Sequence, residues 1–308
     1  MGTEELQRAA GLIRGGGLVA FPTETVYGLG ANALDPVAVE RIFQAKGRPS
    51  TSPLIVHVDS VKMAKGLAEA WPEAAGKLAD RFWPGPLTLV LPKKPVVPDV
   101  VTAGLATVGI RMPAHPVALA LIRAAGVPIA APSANRFTGL SPTTAAHVRD
   151  GLAGQADFIL DGGPSKVGIE STVLSLATCP PQLLRPGMVS RPEIESLIGP
   201  VALAGRVENG AHLSPGMHAK HYSPRTPLVV VKEGAPLPAG RGVTLTRGLR
   251  GAVRMPADAA SYAAVLYDTL HRLDGEGWDW IAVEAVPETP EWAAIADRLG
   301  RASALKPH

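Results

Sequence analysis

Between the N-terminus and Pro192, hydrophobic positions recur with the spacing of amphipathic helices and of short strands in turn. Apolar residues three or four positions apart predict helices at 4–14, 36–45, 61–67 and 116–125. Short apolar runs predict strands at 18–21, 54–58, 87–91, 106–111, 129–131, 158–160 and 171–176. Because both element types alternate along the chain, we predict an α/β domain built around one twisted sheet.

The pattern changes after Pro192, where a stretch rich in Gly, Pro, Ser and His shows little periodicity. Beyond it the spacing again predicts alternating elements, with strands at 228–231, 242–245 and 281–285 and helices at 261–273 and 291–298. This alternation is Rossmann-like, but without G-x-G-x-x-G it predicts no dinucleotide site. We therefore predict a first domain at 1–206, a linker at 207–227 and a small α/β domain at 228–308.

Composition supports a soluble two-domain protein: 46% of the 308 residues are hydrophobic and 19% are charged. The net charge of +3 suits an anionic substrate but does not by itself indicate a nucleic-acid partner. The single cysteine, Cys179, excludes a disulfide framework, and we expect it to be a buried structural residue. No signal peptide is recognisable, and no apolar run reaches the roughly 18 residues that span a bilayer. We expect a cytoplasmic protein with no membrane partner.

The stretch FPTETVYGLG places polar side chains directly after a predicted buried strand. Ligand-binding loops of α/β folds lie at such positions. Thr23 and Thr25 flank Glu24 in a loop that Gly28 and Gly30 close, and their hydroxyls can orient a small polar substrate. The alternative is a simple exit from the strand with a capping threonine.

Two cations follow a predicted helix in the stretch KGRPSTSPLIVHV. Lys46 and Arg48 lie in a proline-stiffened loop and suit a polyphosphate, which lysine meets as a point charge and arginine bidentately. A surface pair that the helix dipole favours is the alternative. His57, in the following strand, is by its position more typical of a core histidine than of a ligand.

The strand in TVGIRMPAHP carries Thr107 and Arg111 four residues apart, and therefore on the same face. An arginine at this place suits a substrate carboxylate. Neutral donors and acceptors follow two further strands: Ser133 and Asn135 in APSANRFTGLSPTT, and the serine of GIESTVL. Arg185 in LLRPG is suited to a phosphate.

Several common catalytic motifs are absent, including G-x-S-x-G, the P-loop, H-E-x-x-H and a Cys/His zinc pattern. Hydroxyls, amides and fixed cations remain. They indicate a site that positions its substrates and stabilises charge, without a covalent protein nucleophile.

In order along the chain, the stretches PTETVYGLG, KGRP, PLIVHV, TVGIRMPAHP, PSAN, SPT, ESTV and LLRPG closely resemble the threonylcarbamoyl-AMP synthase family, also called YrdC-like. The resemblance covers the first domain, and the linker and small second domain resemble the long form of the enzyme. It implies a YrdC-like twisted mixed sheet and a nucleotidyltransferase. The implied reaction converts L-threonine, bicarbonate and ATP into threonylcarbamoyl-AMP and pyrophosphate. Mg²⁺ is expected with ATP, with no dedicated protein ligand.

The resemblance also implies roles for individual residues. L-threonine would contact Thr23, His57, Arg111, Ser133 and Ser171, with Arg111 facing the carboxylate. Lys46 and Arg48 would act as catalytic residues that hold the triphosphate. The implied ATP contacts are Arg48, Ser52, Thr107, Asn135, Ser141, Arg185 and Tyr222. The chain departs from the family at Ser52, where many relatives have asparagine, and in the spacing between Asn135 and Ser141.

Expected partners are the downstream enzymes that move the threonylcarbamoyl group onto an adenosine beside the anticodon of tRNA. One alternative is an RNA-binding module of the same fold without adenylation activity. Aromatic residues amount to only 5% and are not interleaved with the basic ones, which disfavours direct tRNA binding. A carbamoyl-transfer module of hydrogenase maturation proteins is the other alternative, but it would carry zinc-finger-like cysteines.

The stretch SPGMHAKHYSP within the linker has three interpretations: a tether, a metal site or a part of the active site. His218 and His221 are three apart, but the flanking prolines disfavour a helix, and no acidic or thiol partner is near. No metal site is therefore predicted. The resemblance implies that this linker folds over the nucleotide pocket, with Tyr222 reaching ATP.

Overall fold

The computed structural model describes residues 2–205, 221–232, 235–248 and 253–303. In the first domain, helices α1 to α8 are Thr3–Arg14, Pro36–Lys46, Val61–Leu67, Glu73–Phe82, Asp99–Thr102, Pro116–Ala125, Ala145–Leu152 and Arg191–Ile198. Strands β1 to β10 are Val19–Phe21, Gly28–Asn32, Ile55–His57, Leu87–Pro92, Thr107–Arg111, Ile129–Ala130, Phe158–Ile159, Thr172–Ser175, Gln182–Arg185 and Ala202–Leu203.

These ten strands form one sheet in the order β10-β9-β8-β4-β5-β3-β6-β2-β1-β7. Strand directions are mixed: β3 is parallel to β5 and antiparallel to β6, and β4 is antiparallel to β5 and parallel to β8. The expected α/β fold with a mixed sheet is confirmed. Helices α4, α5, α7 and α8 are additions that the hydrophobic spacing did not predict.

Strand β2 corrects the expectation of a polar loop closed by Gly28 and Gly30. The segment pairs with β1 in an antiparallel ladder in which Gly28 faces Phe21. A Cβ at Gly30 would lie 2.7 Å from both Phe21 and Ile129. Glycine lets the strand pass close to these side chains, and a strand rich in glycine carries little β-propensity for sequence reasoning to detect.

Helix α2 shows how the local sequence fixes the position of the two predicted cations. The Asp35 side chain accepts hydrogen bonds from the backbone N–H groups of Val37 and Ala38, at 3.0 and 3.2 Å, as expected for an N-cap. Gly47 adopts a left-handed conformation with φ of 61° and ends the helix. Lys46 therefore lies on the last helical turn, and the chain turns sharply before Arg48.

The second domain contains strands β11 to β14, helices α9 and α10, and a short 3₁₀ helix. Their bounds are Leu228–Val231, Gly242–Thr246, Val253–Arg254, Trp280–Glu284, Ala259–Asp274, Ala293–Ala302 and, for the 3₁₀ helix, Pro290–Trp292. The strands form a parallel sheet in the order β11-β14-β12-β13, with α9 between β13 and β14 in the chain. The expected small α/β domain with a parallel, Rossmann-like sheet is confirmed.

The two domains share a hydrophobic core. Val26, Leu140 and Ile169 of the first domain pack in one buried cluster with Tyr222 and with residues of α9 and α10. Gly168 allows the closest approach, because a Cβ there would lie 2.2 Å from the carbonyl oxygen of Ala263 in α9. The contact is therefore a packed interface.

Residues 206–220, which hold most of the predicted linker and His218, lie outside the described residues. The domain boundaries at 206 and 228 stay predictions. Cys179 is exposed, so the expectation of a buried structural cysteine is wrong. It lies in the connection between β8 and β9, where no core is available to cover it. Over the part of the chain that is described, no helix has the length and apolar character needed to cross a membrane.

We expect Gly168→Ala to lower the free energy of unfolding much more than Gly126→Ala does. Both glycines have a positive φ, 79° and 70°, so alanine costs about 1–2 kcal/mol of strain at either position. Only Gly168 meets a neighbouring backbone, which adds roughly 1–3 kcal/mol of overpacking, whereas the space around Gly126 is open. Urea unfolding measures both variants, and equal losses would contradict the close packing of Gly168 on α9.

Candidate active site

A cavity lies in the first domain, and His221 and Tyr222 form part of its lining. Strands β3, β5 and β9 contribute side chains at their ends, β2 contributes Gly28, and most of the other lining residues lie in the loops after β1, α2 and β6 and before β8. His57 and Arg111 are register partners on neighbouring parallel strands, which places the two side chains next to each other. The fold thus brings motifs that are far apart in sequence to one place.

The cavity includes all the residues predicted to contact L-threonine, namely Thr23, His57, Arg111, Ser133 and Ser171. It also includes three of the residues predicted to contact ATP, namely Arg48, Arg185 and Tyr222. This geometry places the two sets side by side. Their contacts with substrates stay predictions.

Five predicted residues do not line the cavity: Lys46, Ser52, Thr107, Asn135 and Ser141. Thr107 starts strand β5 and Arg111 ends it, so the two lie about 13 Å apart along the strand although they share a face. Ser141 is fully buried and donates to the carboxylate of Glu170. Asn135 donates from its side-chain amide to the carbonyls of Arg136 and Gly139, both at 2.8 Å, and so shapes its own loop.

The loop after β1 is held by a chain of hydrogen bonds that starts at Arg111. The guanidinium Nη1 donates to Thr25 Oγ1 at 2.9 Å, and Thr25 Oγ1 lies 2.8 Å from Thr23 Oγ1. Thr23 Oγ1 donates its single proton to the carbonyl of Val26 at 2.6 Å, so Thr25 must donate to Thr23. The orientation of Thr23 is thereby tied to that of Arg111.

Arg111 forms a buried ion pair with Glu24. Its Nη2 donates to Glu24 Oε1 at 2.6 Å, while its Nε donates to the carbonyl of Gly85 at 3.2 Å. The other carboxylate oxygen, Glu24 Oε2, accepts from the backbone N–H of Ala114 at 3.0 Å. A guanidinium has five donors, so N–H groups remain with which Arg111 can meet a second carboxylate.

Lys46 is buried beneath the loop that follows β6. Its Nζ donates to the carbonyl of Ser133 at 2.5 Å and also to the carbonyl of Asn135. Burial, with a smaller contribution from neighbouring Arg48, lowers the pKa of Lys46 well below its usual range. The ammonium therefore fixes the Ser133 loop, and a nearby anion would stabilise its charged form.

Arg48 is held by its own loop, where Nη2 donates to Ser52 Oγ at 2.7 Å and to the carbonyl of Pro53 at 3.1 Å. The pKa of Arg48 is lowered to about 10, mainly by burial; Tyr222 opposes this shift and Arg185 adds to it. Within the described residues Arg48 Nε has no hydrogen-bond partner. The geometry leaves a buried donor beside the cavity, as a phosphate contact requires.

Ser171 and Arg185, which both line the cavity, are joined by hydrogen bonds. Arg185 donates from Nε to the carbonyl of Ser171 at 3.1 Å and from Nη2 to Ser171 Oγ at 3.2 Å. Thr88 Oγ1 lies 2.8 Å from the same Ser171 hydroxyl. A residue predicted for L-threonine and a residue predicted for ATP are therefore coupled directly.

His57 is uncharged in this environment. Burial, together with the charge of Arg111, lowers its pKa from 6.5 to about 3. In the part of the chain that is described, His57 Nδ1 has no hydrogen-bond partner. A neutral imidazole has one ring nitrogen that can accept a hydrogen bond from an amine or hydroxyl of a ligand.

Tyr222 lines the cavity and has a left-handed conformation with φ of 60°. Its role as a lid over ATP stays a prediction. Its ring is 1% exposed and lies 4.1 Å from the ring of His221. Burial raises the pKa of Tyr222, and its hydroxyl has no hydrogen-bond partner among the described residues. The phenol is thus available to a ligand.

Sequence reasoning missed the acids Glu24 and Glu170, which both line or flank the site. Glu170 lines the cavity, and although burial alone would raise its pKa, Arg298 and Arg185 hold the pKa below its usual range. Both acids lie inside recognised motifs, PTET and EST, directly beside a predicted L-threonine residue. Their partners could not be read from spacing. No group of three or more His, Cys, Asp or Glu side chains suited to a metal ion occurs in the described ranges.

Two family models together cover almost the whole chain. Residues 11–187 match the Sua5/YciO/YrdC model, described as "Telomere recombination", and residues 189–304 match the C-terminal domain of threonylcarbamoyl-AMP synthase. These matches define a YrdC-type domain followed by a domain found in the longer enzymes. The chain belongs to the threonylcarbamoyl-AMP synthase family, in its two-domain form.

Individual relatives are similar to this chain over almost its full length. The threonylcarbamoyl-AMP synthase of Pyrococcus abyssi is 46% identical over 98% of this chain and 95% of its own. The Bacillus subtilis enzyme of the same name is 46% identical over 97% of this chain and 93% of its own. The crystal structure of P. abyssi Sua5 complexed with L-threonine superposes with a TM-score of 0.90 at 43% identity, covering 97% of this chain and 94% of that one.

We expect the free energy of unfolding to decrease more steeply in the wild type than in a His57→Gln variant when the pH is lowered from 7 to 5. The folded pKa of His57, about 3, lies below the ordinary 6.5, so the unfolded chain takes up the proton first. Stability is therefore lost as pH falls from about 6.5 towards 3, and the loss reaches about 2 kcal/mol at pH 5. Denaturant unfolding at pH 7 and pH 5 measures the difference, and parallel losses in both proteins would refute a neutral buried His57.

Proposed function

We propose that the protein is an L-threonylcarbamoyladenylate synthase that forms threonylcarbamoyl-AMP and pyrophosphate from L-threonine, bicarbonate and ATP. The observation that carries this proposal is one cavity in which the five predicted L-threonine residues stand beside Arg48, Arg185 and Tyr222. The crystal structure of P. abyssi Sua5 complexed with L-threonine supports L-threonine as one of these substrates.

The proposed chemistry needs alignment and charge neutralisation. The L-threonine amine captures carbon dioxide, which bicarbonate supplies, so that a carbamate forms and one water is released overall. A carbamate oxygen then attacks the α-phosphorus of ATP with pyrophosphate as the leaving group. Negative charge accumulates on the phosphate oxygens during such a transfer, so fixed cations and oriented N–H groups stabilise the transition state. The buried guanidinium groups of Arg48 and Arg185 are suited to this role.

On the L-threonine side, Arg111 binds the carboxylate with the N–H groups that Glu24 and Thr25 leave unused. Thr23 and Ser171 supply hydroxyls for the remaining polar groups. A neutral His57 beside them accepts a hydrogen bond from the amine or hydroxyl of the substrate. Lys46 acts from beneath the Ser133 loop, where a bound triphosphate would favour its charged form.

Mg²⁺ is proposed to enter with ATP and to be held by the phosphate oxygens, since Mg²⁺ commonly binds through substrate phosphates. The product would pass to enzymes that transfer the threonylcarbamoyl group to tRNA. The cytoplasm is the proposed compartment for this reaction. The alternative of an RNA-binding module receives no separate support from the site, whose cations are buried.

We expect pyrophosphate release from ATP only when L-threonine and bicarbonate are both present. The assay is run with each substrate omitted in turn and with the other amino acids in place of L-threonine, because Arg111 alone would accept any amino-acid carboxylate. A gel-shift titration with tRNA runs in parallel. Tight tRNA binding without ATP-dependent activation of L-threonine would favour the binding module and reject the enzyme.

We expect Arg48→Ala to lower kcat/KM for ATP by roughly 100-fold or more, as the loss of a transition-state donor does. Lys46→Ala is expected to lower kcat/KM as well, because it releases the Ser133 loop that the Lys46 ammonium holds from beneath. Arg123→Ala and Lys62→Ala remove the same charges from exposed positions on α6 and α3 and serve as controls. Steady-state kinetics of pyrophosphate release compare the four variants. Wild-type rates in Arg48→Ala or Lys46→Ala would overturn the assigned phosphate site.

A further inference from the structure

One arginine of the second domain reaches into the first domain behind the cavity. Arg298 lies on α10 and is only 1% exposed. Its Nε donates to Glu170 Oε2 at 2.8 Å, its Nη1 to the carbonyl of Pro186 at 2.8 Å, and its Nη2 to the carbonyl of Glu170 at 3.2 Å. The guanidinium also lies over the ring of Tyr222, 5.3 Å from its centroid.

Each of these contacts falls on a segment that carries a residue of the candidate active site. Glu170 immediately precedes Ser171, and Pro186 immediately follows Arg185. Tyr222 lines the cavity itself. A single planar guanidinium therefore connects three cavity segments that are separate in sequence, with the fixed fork geometry that only arginine provides.

Glu170 is the centre of this arrangement. Its Oε1 accepts from Ser141 Oγ, and its Oε2 accepts from the hydroxyl of Tyr267 on α9 at 3.2 Å as well as from Arg298. A buried ion pair alone is weak evidence for a stabilising role, because desolvation offsets the attraction. Here Arg298 also donates to the backbone carbonyls of Pro186 and Glu170, which belong to segments that line the cavity. These bonds indicate that the ion pair controls the position of those segments.

We propose that Arg298 is a positioning residue for the substrate site, so that the second domain sets the affinity of the first domain for L-threonine and ATP. This inference rests on the proposed function. Arg298 is not one of the residues that line the cavity. It acts through Glu170, Ser171, Arg185 and Tyr222, and Tyr267 assists it by holding the same carboxylate.

The kinetic test separates positioning from folding. A purely structural role would reduce the fraction of active enzyme, which lowers the apparent kcat and leaves KM unchanged. Positioning instead raises KM for both L-threonine and ATP in Arg298→Met. We expect a roughly 10-fold to 100-fold rise in each KM, as for the loss of hydrogen bonds that involve charged groups. Pyrophosphate release by the full chain measures both constants.

The matched control is Arg247→Met. Arg247 forms an ion pair with Glu284 at 3.1 Å and donates to the carbonyl of Ala285, all within the second domain. The Arg247→Met substitution therefore removes an arginine and its ion pair but leaves the contacts with the first domain unchanged. Its KM values are expected to equal those of the wild type.

Tyr267→Phe keeps the test valid even where Arg298→Met does not fold. It removes only the hydroxyl that donates to Glu170 and keeps the ring in the core. We expect a roughly threefold to tenfold rise in KM, as for the loss of one ordinary hydrogen bond. Tyr262→Phe, on the same helix and packed against Trp292 of its own domain, is expected to leave KM unchanged.

The outcomes distinguish the two levels of inference. A wild-type chain that releases no pyrophosphate with L-threonine, bicarbonate and ATP refutes the proposed function and this inference with it. An active wild type with unchanged KM values in Tyr267→Phe, and in Arg298→Met where it folds, overturns the positioning role alone. Raised KM values in these variants, with normal values in Arg247→Met and Tyr262→Phe, support it.

Discussion

Buried positive charge around one cavity is the constraint on which the rest of the site depends. Four cationic side chains are each no more than 7% exposed at or beside the cavity: Lys46, Arg48, Arg111 and Arg185. Burying a charge is costly unless it is paired and hydrogen-bonded. Two carboxylates, Glu24 and Glu170, balance part of this charge, and backbone carbonyls hold the remainder in place. Anionic substrates would complete the balance.

The local structure around the cavity fixes the four cationic side chains in place before a substrate binds. The end of α2 at Gly47 places Lys46 and Arg48, and Lys46 in turn fixes the loop that carries Ser133. Arg111 orients the loop after β1 through a chain of hydroxyls. Oriented groups of this kind need no reorganisation as charge develops. A reaction without a protein nucleophile depends on such preorganisation.

Sequence patterns predicted the motifs that form the site, but they did not predict their internal partners. Thr23, Arg111 and Ser171 could be found because each follows or enters a strand within a recognisable motif. Their acidic neighbours were missed, because Glu24 pairs with a residue 87 positions away and Glu170 with one 128 positions away. Only the fold creates those pairs. Strand β2 was missed for a local reason, since its glycines carry little β-propensity.

The two buried acids, Glu24 and Glu170, each lie beside a predicted L-threonine residue in the sequence, but different arginines neutralise them. Glu24 pairs with Arg111, which itself lines the cavity, whereas Glu170 pairs with Arg298 from the second domain. A carboxylate that lines the cavity would repel the phosphates of the proposed ATP substrate, by about 4 kcal/mol for unit charges at 4 Å and an effective dielectric constant of 20. Arg298 neutralises Glu170 from behind the cavity wall, so the acid can shape the site without excluding an anion. The second domain is in this sense part of the electrostatics of the first.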